Sequence, residues 1–119
     1  MSTAIADKAK SGKKGKDVAT LLNRIDGEKM ERAAAMLKVL AHPKRMAIVD
    51  LLGREERLTV TEIYNQLEMP QAIASQHLIT LKDRGVLSSK KEGTKIYYSL
   101  QVPRLTEVIR CLEDGILGM

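Results

Sequence analysis

Between residues 71 and 81 the chain reads Gln-Ala-Ile-Ala-Ser-Gln-His-Leu-Ile-Thr-Leu. Ala74, Leu78 and Leu81 recur at i, i+4 and i+7, so on a helix they share one face and turn it toward a core. The opposite face then carries Gln71, Ala72, Ser75, Gln76 and Thr80. These groups suit the reading of base edges. A Gln amide pairs bidentately with adenine, Ser and Thr hydroxyls bond to several base edges, and an Ala methyl meets the thymine methyl. These five are the candidate contacts to DNA bases. Any solvated helix also shows a polar face, so the assignment depends on what surrounds it.

The surround is basic. Residues 70–99 hold Lys82, Arg84, Lys90, Lys91 and Lys95 against only Asp83 and Glu92, a local excess that a polyanion would meet. Lys82, Lys90, Lys91, Thr94 and Lys95, with His77 beside them, are the candidate contacts to DNA phosphates. Such contacts fix register and supply salt-dependent affinity without reading sequence. The overall charge of +5 says less. Five lysines in residues 1–16 face only Asp7, and the rest of the chain is nearly neutral.

The elements that must position these groups follow from periodicity and punctuation. Residues 1–16 are small, polar and Lys-rich and read as a disordered basic tail. Residues 17–119 read as one domain for DNA binding and dimerisation. Asp17 is a cap for a helix over 18–25, with Val18, Leu21, Leu22 and Ile25 on one stripe. Asp26 caps a second helix, 27–41, and Pro43 opens a third, 43–52, with Gly53 as its stop. Residues 54–58 read as a charged loop. Thr59-Val60-Thr61-Glu62 is a capping box at the head of a helix to about Leu67. Glu68-Met69 turns the chain into the helix 70–84, which Gly85 ends. Strands over 86–91 and 94–100 join at Glu92-Gly93 as a hairpin, and Pro103 opens a last helix to about Leu117. The fold class is mainly α with a β-hairpin wing, a winged helix-turn-helix. Its second motif helix is the one that lies in the major groove.

Other function classes find little support. There is no nucleophile–base constellation and no glycine-rich phosphate loop, which argues against an enzyme, and no cofactor is expected. The single Cys excludes an intrachain disulfide and any multi-thiolate metal site within one subunit. No run is long and apolar enough for a membrane span and no signal peptide is evident, so a cytoplasmic setting is the expectation.

Several spaced motifs, taken in order, resemble the ArsR/SmtB family of bacterial repressors: Ala41-His42-Pro43-Lys44-Arg45, Ser75-Gln76-His77-Leu78-Ile79-Thr80-Leu81, Gly85-Val86-Leu87, and Gly93 through Leu100. The resemblance spans residues 30–116. It implies a homodimer built from the first and last helices, binding double-stranded DNA at an imperfect inverted repeat and blocking transcription. Met30, Ala33, Ala34 and Leu37 of the helix 27–41, the first within the resembling stretch, and Leu105, Val108, Ile109 and Leu112 of the last are then the candidate interface.

The chain departs from the family at its metal sites. Sensors of arsenic, cadmium and lead carry a Leu-Cys-Val-Cys-Asp-Leu type motif where this chain has Leu58-Thr59-Val60-Thr61-Glu62-Ile63, and hydroxyls bind soft metals poorly. The family's other site needs Asp and His on the last helix. The matching stretch here is Gln101-Val102-Pro103-Arg104, with no His after it. No metal response is expected. Cys111 reads either as a small buried apolar residue or as a redox-responsive thiol near its symmetry mate. The alternatives to a metal-independent repressor are therefore a thiol-responsive one and a winged-helix module that binds protein.

Overall fold

Side-chain caps set most of the helix starts. The computed structural model describes residues 20–117; the expected basic tail, the Asp17 cap and Val18 lie outside them. The first described helix, α1 (Leu21–Arg24), is capped by Thr20, whose Oγ1 accepts from the Asn23 amide. Asp26 Oδ1 accepts from the Glu28 amide at 2.7 Å and opens α2 (Gly27–Leu40). His42 Nδ1 accepts from the Lys44 amide at 3.2 Å at the head of α3 (Pro43–Glu55). Pro43 fits there because the first helical amide has no partner to lose.

The chain divides into two compact units, one ending at Ala34 and one running from Ala35. The second holds the core. Ile48, Val49 and Leu52 of α3 pack with Ile63 of α4 (Val60–Gln66) and with Leu78 and Leu81 of α5 (Gln71–Asp83). Val86, Leu87 and Tyr98 close the cluster from the sheet side, and Leu105 of α6 (Leu105–Leu112) joins it. Truncating one of these fully buried Leu or Ile side chains to Ala removes about 2–5 kcal/mol, through lost transfer energy plus the cavity left behind.

The sheet has three antiparallel strands in the order β1-β3-β2. The hairpin is β2 (Leu87–Glu92) and β3 (Lys95–Leu100), paired from Leu87 with Leu100 to Glu92 with Lys95. Its loop is Gly93-Thr94, and of the two only Gly93 has a positive φ, +67°, which is the pattern of a type II′ turn. β1 (Arg57–Thr59) pairs with β3, Arg57 opposite Ser99 and Thr59 opposite Tyr97.

Three expectations change. Residues 57–59 are a strand and not part of a loop, because β3 offers them a free edge. Gly53 does not stop α3, which continues to Glu55 and ends at Glu56 with φ 70°. A Cβ at position 53 would collide with the Thr106 methyl of α6, so the glycine permits close helix approach. The last helix begins at Leu105 and is α-helical only to Leu112, followed by a π-helical turn, Glu113–Leu117. The order of helices, helix-turn-helix, hairpin and final helix is that of a winged helix-turn-helix.

Candidate nucleic-acid interface

The α4–α5 pair is built locally. Thr59 Oγ1 accepts from the Glu62 amide at 3.2 Å, and the Glu62 carboxylate accepts from the Thr59 amide at 2.8 Å. That backbone bond, with a second from the Thr59 hydroxyl, holds the Glu62 carboxyl below its usual range. The chain then leaves α4 through Glu68 in the left-handed region, with φ 51°. Met69 is buried, its amide bonded to the Tyr64 carbonyl at 3.1 Å. Pro70 leads into α5.

The buried face of α5 holds Ala74, His77, Leu78 and Leu81. Ala72 and Gln76 are exposed on the far side, Ser75 and Thr80 are half-buried on its two flanks, and Gln71, seven residues before Leu78, is exposed at the helix start on the Leu78 side. The first turn has no acidic residue. Ala72, Gln76, Ile79 and Asp83 form one exposed stripe at helical spacing. Ile79, which the polar-face reading passed over, is 56% exposed. Its place three residues after Gln76 was the available signal.

His77 differs from the other polar candidates because its ring turns inward. It is only 9% exposed, its Nδ1 accepts from Arg45 Nε at 3.2 Å, and it meets the His42 ring edge-on at 4.7 Å. Arg45 also donates to the Val39 carbonyl, so one guanidinium ties α5 to α3 and to the end of α2. Burial, reinforced by His42, Arg45 and Lys44, pushes the His77 imidazole below its usual range. In this arrangement the ring links α5 to α3 through Arg45 and His42.

On the wing, Lys90, Lys91, Thr94 and Lys95 are all exposed, as is Lys82 at the end of α5. The acidic residue at the wing tip, Glu92, is ion-paired. Arg57 of β1 makes a two-pronged pair with Glu92 at 2.8 and 2.9 Å while stacking over the Tyr97 ring at 3.9 Å. This contact lowers the Glu92 carboxyl further and fixes the wing tip to the β1 edge. The pairing joins residues 35 positions apart and had no local signal in the sequence.

The positions of the family's thiolate ligands carry the hydroxyls of Thr59 and Thr61. Thr59 is committed to its cap, and among the described residues no three His, Cys, Asp or Glu side chains group as a metal site. No helix among them is long and apolar enough to cross a membrane. Of the candidate interface residues, Leu37 (54%) and Val108 (38%) are exposed, and Ile109 and Leu112 are half-buried beside them around a shallow apolar depression. Leu105 belongs to the core of its own chain, because the start of α6 packs inward. In the first unit Met30 is half-buried and Ala33 and Ala34 are exposed. Cys111 is exposed, and not the buried filler that its apolar neighbours suggested, because the inward side of α6 is taken by Leu105 and Ile109.

Comparison with known proteins agrees with this architecture. Residues 40–89 match a family model described as a helix-turn-helix domain. The transcriptional repressor PagR of Bacillus anthracis is 37% identical over 90 residues, covering 76% of this chain and 90% of that protein. Its crystal structure superposes with a TM-score of 0.68 over 73% of this chain and 99% of PagR. The repressor SmtB of Mycobacterium tuberculosis is 37% identical over 82 residues, 69% of this chain and 60% of SmtB. A homodimeric winged helix-turn-helix DNA-binding domain from Mycobacterium bovis, described as a possible ArsR-family regulator, superposes with a TM-score of 0.69. It is 28% identical, over 84% of this chain and 94% of that one. With these relatives, and with the motif helices, wing and closing helix in their expected order, the chain belongs to the ArsR/SmtB family of winged helix-turn-helix transcriptional regulators.

Proposed function

We propose that the chain is a sequence-specific transcriptional repressor that binds an inverted-repeat operator as a homodimer and does not respond to metal. The observation that carries the reading is the exposed face of α5, free of acidic residues in its first turn and flanked by a wing with three exposed lysines. In the major groove Gln71, Ala72, Ser75, Gln76 and Thr80 face base edges. Lys82, Lys90, Lys91, Thr94 and Lys95 lie against phosphates. The exposed Leu37 and Val108 support pairing with a second copy, and two-fold symmetry then sets two α5 helices in successive grooves. The hydroxyls of Thr59 and Thr61 at the expected thiolate positions support metal independence.

The test is a mobility shift on a duplex selected by the purified chain, run at two salt concentrations. Gln76→Ala should relax base preference, losing about 1–3 kcal/mol of discrimination at one position per half-site. Lys91→Ala should weaken all duplexes alike and reduce the log–log salt slope by about one unit per subunit. If neither variant alters binding, the docking geometry is wrong. Weak binding without duplex preference or salt dependence would instead point to a protein-binding module.

A further inference from the structure

We infer that Ile79 reads DNA, by packing its side chain against the 5-methyl group of a thymine in the major groove; the inference rests on the proposed entry of α5 into that groove.

Ile79 has no role in the folded chain that its neighbours do not already fill. The apolar side of α5 is complete without it, since Ala74, Leu78 and Leu81 are fully buried. More than half of Ile79 faces solvent, where its apolar surface gains nothing. A β-branched residue is also a poorer helix former than the unbranched or charged residues that usually occupy an exposed helix position. Local folding therefore does not account for an isoleucine here.

Its companions on the stripe define the occupant. Ala72, Gln76, Ile79 and Asp83 fall within about 60° of one another around the helix. Ala72, near the start, is small enough for close approach, and Gln76 offers an amide. Asp83, at the end, would be repelled by phosphate, so the inserted part of α5 stops just after Ile79. Lys82 and the wing lysines supply the positive surround that brings this stripe to a polyanion. Among the groups displayed on major-groove edges only the thymine methyl is apolar, so it is the partner that an exposed isoleucine in the groove fits. Ile73, also exposed, lies about 60° beyond Gln76 and about 90° from the centre of the stripe, on its flank.

The spacing makes the inference positional. Side chains three apart on a helix are about 5–6 Å apart, and base pairs rise about 3.4 Å. The thymine met by Ile79 should therefore lie within two base pairs of the base whose identity Gln76 controls.

The experiment uses the full chain and duplexes it enriches from a randomised library. Each thymine of the enriched duplex is replaced singly by deoxyuridine, which keeps the pairing and removes only the 5-methyl. One replacement per half-site, within two base pairs of the position relaxed by Gln76→Ala, should weaken wild-type binding about fourfold. Ile79→Ala removes the contact from both half-sites of the homodimer, so it should bind the unmodified duplex about sixteenfold more weakly and be indifferent to that replacement, while Ile79→Val stays sensitive. If the chain enriches a duplex but every deoxyuridine replacement acts equally on wild type and Ile79→Ala, the inference is overturned and the base-reading role of α5 stands. If no duplex is enriched, both fall together.

Discussion

His77 is the residue whose chemistry most clearly links local structure to behaviour. Its Nδ1 is an acceptor for Arg45 Nε, which requires the neutral ring with its proton on Nε2. The charged groups facing it are His42, Arg45 and Lys44, all basic, and together with burial they disfavour its protonation. Below the unfolded value of 6.5 the unfolded chain takes up a proton that folded His77 refuses until lower pH. Stability from this group is thus complete above 6.5 and declines as pH falls through the window beneath it. Urea midpoints at pH 7.5 and 5.5 should differ more for wild type than for His77→Gln, which keeps an acceptor for Arg45 and does not titrate. An unchanged difference in His77→Gln would remove His77 as the source. Lysine side chains on the wing act differently, through counterion release, and their effect is expected in the salt slope and not in stability.

At the scale of the elements, the contact between α3 and α6 turns on Gly53. A glycine inside a helix is less stable than alanine by about 0.5–1 kcal/mol, yet alanine here would drive its Cβ into the Thr106 methyl. Thr106 cannot swing away freely, because its hydroxyl donates to the Pro103 carbonyl at 3.1 Å. Gly53→Ala should therefore destabilise the chain by about 1–3 kcal/mol. The same change in a Thr106→Ser background should be neutral or stabilising, and thermal unfolding of the four variants measures the coupling. Additive effects would contradict the close approach.

What could be read from the sequence divides along the same line. α5 and the α4 cap were legible, since their signals lie within a few residues: the Ala74, Leu78, Leu81 spacing and the Thr59–Glu62 box. The hairpin was legible through Gly93. β1 was not, because its three residues become a strand only beside Tyr97, Tyr98 and Ser99, some forty positions later. Gly53, the Arg57–Glu92 pair and the inward turn of His77 were hidden for that reason, each depending on a partner from a distant segment. Ile79 was legible in principle, and the polar-face criterion passed over it because it counted only hydrogen-bonding groups and alanine.

The molecule as a whole presents two surfaces with different chemistry. One is the uncharged part of the α5 stripe, from Ala72 to Ile79, with the lysines of the wing. The other is the apolar patch around Leu37 and Val108, on which the proposal places a second copy of the chain. The symmetry of such a dimer is imposed on the DNA, with half-site centres about one helical turn, 10–10.5 base pairs, or a multiple of it apart. The most direct measurement is enrichment of duplexes from a randomised library by the purified chain, followed by alignment of the enriched sequences. A two-fold-symmetric site with that spacing should emerge, and its symmetry-related positions should lose their preference in Gln76→Ala. Enrichment of no sequence, or of a single asymmetric site that Gln76→Ala leaves unchanged, would contradict the proposal.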